Sequence, residues 1–303
     1  MIRRVTTILA AGLFAASLVQ PVQAADLEYE RQLGLIVSGV VDTWAGVQFI
    51  DDGSNDDALF MTGSEGRLSL PLAENFSIQT DFKYEYNSNA FTDDYDLFGP
   101  RYGGQGAIHF TWRDPSSFLF GVVGGAGRSN FGALDLDYGF VGLEGQVYLN
   151  DVTLYAQGGA INYDPRNRDT SGQFDNGYFG RAVVRWFIDD ASRLQLEGTY
   201  LTADFSGDYG EIDIFSAGAR YDFSLTGFPV FGDLPLFVAY RGTFRDSCVG
   251  SREAGMSDVV DHAFMIGSSY SFSGGLIAVD RQGATLDTPY FTNACSYYTP
   301  GPV

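Results

Sequence analysis

Two histidines come first, because imidazole is the usual proton carrier near neutral pH. His109 stands in AIHFTWRD, four residues before Arg113, and His262 directly follows Asp261. Hydrolytic use of a histidine needs a hydroxyl or thiol within hydrogen-bonding reach and an orienting group behind the ring. No local serine motif accompanies either residue. If the chain is extended around Asp261, adjacent side chains point to opposite faces and Asp261 does not touch His262. His109 therefore reads as a buried polar filler, and no catalytic residue is assigned.

Acidic clusters and cysteines are the other groups with chemistry to offer. Asp51, Asp52, Asp56 and Asp57, and later Asp93, Asp94 and Asp96, present oxygen ligands at a density that suits Ca²⁺. DDGSNDD lacks the spaced D-x-[DN]-x-[DN]-G loop, so these read as solvated carboxylates that repel anionic solutes, and no metal or cofactor is assigned. Cys248 and Cys295 are the only cysteines.

The elements that position these groups begin with an export signal. Arg3 and Arg4 precede an apolar run from Val5 to Val19, then Gln20-Pro21 and a small-residue site at Val22-Gln23-Ala24. That pattern is a secretory signal peptide, too short for an ordinary spanning helix, and predicts Sec export with cleavage after Ala24. With no cysteine near the cut, a lipoprotein is excluded. Removing residues 1–24 leaves 16 basic residues against 38 acidic ones, a formal charge of −22. Such a chain repels nucleic acid. Lys83 is the single lysine, which argues against a polybasic membrane-surface role.

After the signal no apolar stretch approaches a transmembrane helix in length, yet aromatic content is 15%. The spacing of the apolar residues decides what this means. In FSIQTDFKYEY, Phe76, Ile78, Thr80, Phe82, Tyr84 and Tyr86 share one parity, and Ser77, Gln79, Asp81, Lys83 and Glu85 the other. Period 2 over such a length is a strand with one apolar and one polar face. Twelve such segments are expected near 34–50, 58–70, 76–88, 102–113, 117–128, 135–149, 152–163, 177–189, 193–204, 210–223, 235–246 and 260–272. Their connections alternate. PLAEN (71–75), RDPSS (113–117), ND (150–151) and DDAS (189–192) are short, with 224–235 a longer exception, whereas DDGSNDD, FTDDYDLFGPR, 164–176 and 247–259 are mostly longer and more polar.

Short turns at one end and long loops at the other are the asymmetry of an outer-membrane barrel. With FMIGSSYSF ending in Phe272 and the signal peptide, the chain resembles the porin-like outer-membrane β-barrel proteins of Gram-negative bacteria over roughly residues 34–272. The expected architecture is all-β: an antiparallel up-and-down transmembrane barrel of about 12 strands. Residues 25–33 are then a short periplasmic segment and 273–303 a C-terminal extension. A soluble β-sandwich is the competing architecture, but it more often uses shorter strands and need not keep charges off one face.

In a barrel the polar parity faces the lumen. The candidate pore-lining residues are Glu65, Arg67, Asp81, Lys83, Glu85, Arg113, Glu144, Arg181, Arg185, Glu197, Arg220, Asp222, Arg241 and Arg245, with His109 among them. Hairpin geometry is expected to set Arg185 opposite Glu197 and Arg67 opposite Asp81 as cross-strand ion pairs. Twelve strands lie between small, filled barrels and open channels. Two readings therefore stand: passive diffusion of small hydrophilic solutes, and a non-conducting structural or surface-interaction barrel with acidic outer loops. A membrane-embedded hydrolase is the third, because such barrels include lipases, proteases and lipid A-modifying enzymes. The resemblance implies outer-membrane lipids, lipopolysaccharide and the barrel-assembly machinery as partners. Nothing in the chain marks a subunit interface.

The 31 residues after Phe272 are unusual for a barrel whose last strand should end the chain. An exported protein with two cysteines invites a disulfide, but Cys248 falls on an outer loop and Cys295 beyond a strand that descends to the periplasm. They meet if the tail turns at Ser273-Gly274-Gly275 and climbs through the lumen, since 23 residue steps span roughly 75 Å against an apolar band of about 25 Å. Gly-rich GGQGA (103–107) and GVVGGAG (121–127) would leave room for it, or serve barrel curvature. A luminal plug over 273–298 tethered by Cys248 and Cys295, and a periplasmic extension with unpaired cysteines, are both open from sequence.

Overall fold

The computed structural model describes residues 37–51, 56–88, 101–131, 134–165, 174–205, 211–228, 232–245, 259–289 and 291. Twelve antiparallel strands form one closed barrel: β1 (Ser38–Asp51), β2 (Asp56–Ala73), β3 (Phe76–Ser88), β4 (Arg101–Asp114), β5 (Phe118–Phe131), β6 (Leu134–Leu149), β7 (Val152–Pro165), β8 (Phe174–Asp189), β9 (Ser192–Phe205), β10 (Glu211–Phe228), β11 (Gly232–Arg245) and β12 (Val259–Ser271). Each strand pairs with its sequence neighbours, and β1 closes on β12 with Val40 opposite Ser271 and Asp51 opposite Val260. Closure leaves no unpaired strand edge, which a bilayer would penalise heavily.

Alternation within each strand separates two surfaces. Along β3 and β6, Phe82 and Leu143 are 58% and 68% exposed, whereas Asp81 and Glu144 are 6% exposed. The outward set includes Phe120, Val141, Val147, Leu196 and Ile266, all at least 46% exposed. A continuous apolar exterior around a ring whose interior is polar has no stable arrangement in water and is the surface a lipid bilayer covers.

The short turns sit where the spacing predicts them, at Glu74-Asn75, 115–117, Asn150-Asp151 and Asp190-Ala191. Asn150 has φ of 48°, the left-handed conformation that a two-residue hairpin demands and asparagine tolerates. The connection expected over 224–235 is shorter: β10 continues to Phe228 and β11 begins at Gly232. Ser224 still pairs with Pro235 and Leu225 with Leu234 before a bulge next to Gly227, at φ of 84°. Proline and glycine there mark an irregular strand end. Residue 37 precedes β1 without strand structure, and 34–36 lie outside the described residues.

Beyond β12 the chain turns through Gly274, at φ of 123°, into a short helix, α1 (Leu276–Gln282). The Leu276 N–H donates to the Asp190 carbonyl at 2.9 Å, which roots the helix at the end of the barrel that carries the short turns. Val279 packs with Val40 and Ala284. A Cβ at Gly283 would lie 2.1 Å from Ser38 Oγ, so only glycine fits there. Residues 284–289 then continue inside the barrel, every one of them buried.

Candidate functional site

The lumen is built from the inward parity of the strands and from the tail that ascends it. The tail follows β8. Asp280 meets Arg185 at 2.8 Å, Asp287 meets Arg181 at 2.9 Å, and the Phe291 ring lies 5.0 Å from that of Phe179. Gln79 grips the tail backbone in both directions, donating to the Leu286 carbonyl and accepting from the Leu286 N–H. Gln105 donates to Thr288 and Pro289, Gln157 to the Asp287 carbonyl, and Thr153 to Asp280. These bonds satisfy an extended segment that has no strand partner of its own.

At its upper end the tail inserts Phe291 among Tyr138, Phe140 and Phe179. The glycines of β5 make that arrangement possible. A Cβ at Gly125 would approach the Phe140 ring to 2.6 Å, and one at Gly127 the Tyr138 ring to 2.4 Å. The GVVGGAG segment thus seats inward aromatic rings.

All fourteen candidate pore-lining residues face inward, and most are tied to one another. Arg67 pairs with Asp42 and Glu65, and Lys83 with Glu65. Arg220 bridges Asp42 and Asp222, Arg193 also reaches Asp222, Arg241 pairs with Glu85, and Arg245 with Asp261. Asp81 and Glu144 hold His109 between them, at 3.0 Å on Nε2 and 2.8 Å on Nδ1, with Tyr155 and Gln157 donating to the far oxygen of Glu144. Arg113 donates to the Gly283 carbonyl at 2.9 Å.

Two expected pairings are corrected. Arg185 faces Gln195, with Nε donating to its Oε1 at 3.1 Å, while Glu197 sits opposite Val183 and is bound by Arg181 at 2.5 Å. The two-residue turn with its bulge between Phe187 and Asp189 shifts the register by two. Arg67 is opposite Asp81, as the turn predicts, yet its charge goes to Asp42 and Glu65, because His109 occupies Asp81.

Asp42, Arg193, Asp280 and Asp287 are charged members of this network that strand patterning missed. Asp42 shares its parity with Val40 and Trp44, so no polar face shows in the sequence of β1. Asp280 and Asp287 lie outside any alternating segment. Both ring nitrogens of His109 are bound to carboxylates, so neither accepts from a nucleophile. His262 faces outward, its Nδ1 2.8 Å from the Tyr240 hydroxyl, whereas Asp261 is buried inside. Cys248 and Cys295 lie outside the described residues, as do Asp52, Asp93, Asp94 and Asp96.

The tail does not fill the barrel. Between Asp287, Thr288 and Arg181 of β8 on one side and β1–β3 and β9–β12 on the other lies a cavity of about 110 Å³. Lys83, Arg181, Arg220 and Arg241 contribute positive charge to its wall, Glu65, Glu197 and Asp287 negative charge, and Trp44, Phe237 and Met265 an apolar strip. The Arg220 guanidinium lies 3.8 Å over the Phe237 ring, which holds its plane against the wall.

No protein-family profile and no curated protein matches the sequence. Solved structures do match. The COG4313 outer membrane channel from Pseudomonas putida F1 is similar over 78% of this chain and 94% of its own, at 12% identity and a TM-score of 0.51. The β domain of the Bordetella autotransporter BrkA matches over 78% and 99% at 14% identity and a TM-score of 0.43, and an OmpT loop-deletion mutant of Vibrio cholerae over 78% and 99% at 7% and 0.41. The likeness is one of fold: the chain has the architecture of the outer-membrane β-barrel proteins of Gram-negative bacteria, and its apolar girdle places it in that membrane.

Proposed function

We propose that the protein is a narrow outer-membrane channel for passive diffusion of small hydrophilic solutes, constricted by its own tail. The observation that carries this reading is the cavity left between the tail and the β9–β12 wall, lined by charges of both signs. The cations on this wall are paired with carboxylates, and a wall of both signs beside unfilled space suits a hydrophilic pathway better than an apolar filling would. With four cationic and three anionic side chains on its wall, the passage favours small polar or charged solutes over apolar ones. The Pseudomonas putida barrel of like fold is itself described as a channel, which is compatible with this role. Catalysis has no part in the reading, because the histidines are committed to carboxylates and to Tyr240.

Planar-bilayer recording of the refolded mature protein tests it. Discrete, salt-dependent conductance steps smaller than those of a wide porin are expected. A silent bilayer with correctly folded protein would instead favour the non-conducting barrel.

A further inference from the structure

The charges on the wall of the luminal passage are not equally occupied. Arg220 donates from Nε, Nη1 and Nη2 to Asp42 and Asp222, Arg241 holds Glu85 through both terminal nitrogens, and Arg181 holds Asp287 in the same way. Glu65 turns one oxygen to Arg67 and the other to Lys83. Two side chains are less fully engaged. Among the described residues, Lys83 Nζ meets a single carboxylate oxygen, Glu65 Oε2 at 3.1 Å, and Glu197 is bound through Oε2 alone, by Arg181. An ammonium has three donors and a carboxylate two acceptor oxygens, so each has a bond left to offer a solute. Both reach the lumen, with side chains 17% and 30% exposed.

Their placement makes them a pair. Lys83 is on β3 and Glu197 on β9, six strands apart in a ring of twelve, so they stand across the lumen from one another. Both line the cavity, and Lys83 is near enough for its charge to act on Glu197. Gly218 marks where the acidic end lies. A Cβ there would come within 2.9 Å of Glu197 Cγ and 3.0 Å of its Oε1, so the second oxygen rests over a glycine that itself borders the cavity. Along the arc from β11 through β12 to β1 the wall is the apolar strip of Phe237, Met265 and Trp44. A solute in the cavity therefore meets a positive flank, a negative flank and an apolar side between them. A simple ion is attracted to one flank and repelled by the other, whereas a molecule carrying both charges is attracted at both ends.

We infer that the passage selects small zwitterions, molecules of amino-acid size with an ammonium at one end and a carboxylate at the other. The ammonium goes to Glu197, the carboxylate to Lys83, and the carbon skeleton lies along Trp44, Phe237 and Met265. The inference rests on the channel reading above and names the solute class for it.

Swelling of proteoliposomes that carry the full-length mature protein, at low ionic strength, tests this with two isomers, zwitterionic β-alanine and uncharged lactamide. Protein-free vesicles supply the background to subtract. Entry of β-alanine is expected to exceed that of lactamide at least about threefold. Lys83→Gln and Glu197→Gln should each bring the ratio down to about one. Gly218→Ala keeps every charge but displaces the Glu197 carboxylate, so it should lower the ratio too, and it carries the test if the charge variants fail to fold. Entry of β-alanine no faster than lactamide through the wild type, or an unchanged ratio in folded Lys83→Gln and Glu197→Gln variants, would overturn the zwitterion assignment and leave the channel in place. Entry of neither isomer would overturn the channel and this inference with it.

Discussion

Asp287 receives both terminal nitrogens of Arg181, Oδ1 from Nη1 and Oδ2 from Nη2, each at 2.9 Å. This bidentate pair joins a residue of the tail to a residue of β8 in the interior of the barrel, and Arg185 adds a third contact to Asp287 at 3.2 Å. The tail is thereby part of the barrel's charge balance and not a loose cork.

Asp287→Asn should consequently leave Arg181 with Glu197 and Arg185 with Asp280 as their remaining carboxylates. Neither guanidinium is stranded, so the cost falls below the figure of about 3–5 kcal/mol for an uncompensated buried charge. The expected outcome is a lower unfolding midpoint in urea together with proteolytic cleavage within 276–291 of the still-closed barrel. An unchanged midpoint and an intact tail would show that the pair holds nothing in place.

Phe291→Ala removes the ring that Tyr138, Phe140 and Phe179 enclose. A loss of about 3–5 kcal/mol is expected for a buried phenyl ring, read as a downward shift of the thermal transition. Single-channel conductance should rise in the same variant, because the upper end of the tail loses its anchor.

Glu197 is the more open member of its pair, with a side chain 30% exposed against 4% for Arg181. Glu197→Gln leaves Arg181 bound to Asp287 and makes the passage wall more positive, so the reversal potential in a salt gradient should move toward anion preference. Arg241→Gln removes one cation from beside the Glu85 carboxylate and should move it toward cations. Shifts of the same sign in both variants would remove these side chains from the conduction path.

Phe82, Val147 and Leu196 are 58%, 46% and 50% exposed on the outer face. Nitroxide labels placed there one at a time, with Cys248 and Cys295 replaced by serine, should be relaxed by oxygen dissolved in the bilayer and shielded from water-soluble nickel complexes. Labels at Glu144 or Arg185 should show neither lipid contact nor free solvent access.

Much of this molecule is readable from residue order alone, for a simple reason. A strand with lipid on one side and polar neighbours on the other must alternate, so Phe82 beside Lys83 and Leu143 beside Glu144 reveal both the element and its faces. Residue pairing is less legible, because it depends on turn geometry and on three-way competition. Arg67 lies opposite Asp81, yet His109 takes Asp81 and Asp42 takes Arg67. Asp42 itself is hidden by apolar neighbours of the same parity. The course of the tail has no periodic signal at all: its position follows from two aspartates and one phenylalanine whose partners on β8 lie about a hundred residues earlier.

Ser38 opens β1, and its hydroxyl contacts both Ser273, just past β12, and the Ala284 N–H beyond α1. The seam that completes the ring and the root of the inserted segment are therefore fastened by one side chain. Opening the seam and drawing out the inserted segment both require this one hydroxyl to release its partners.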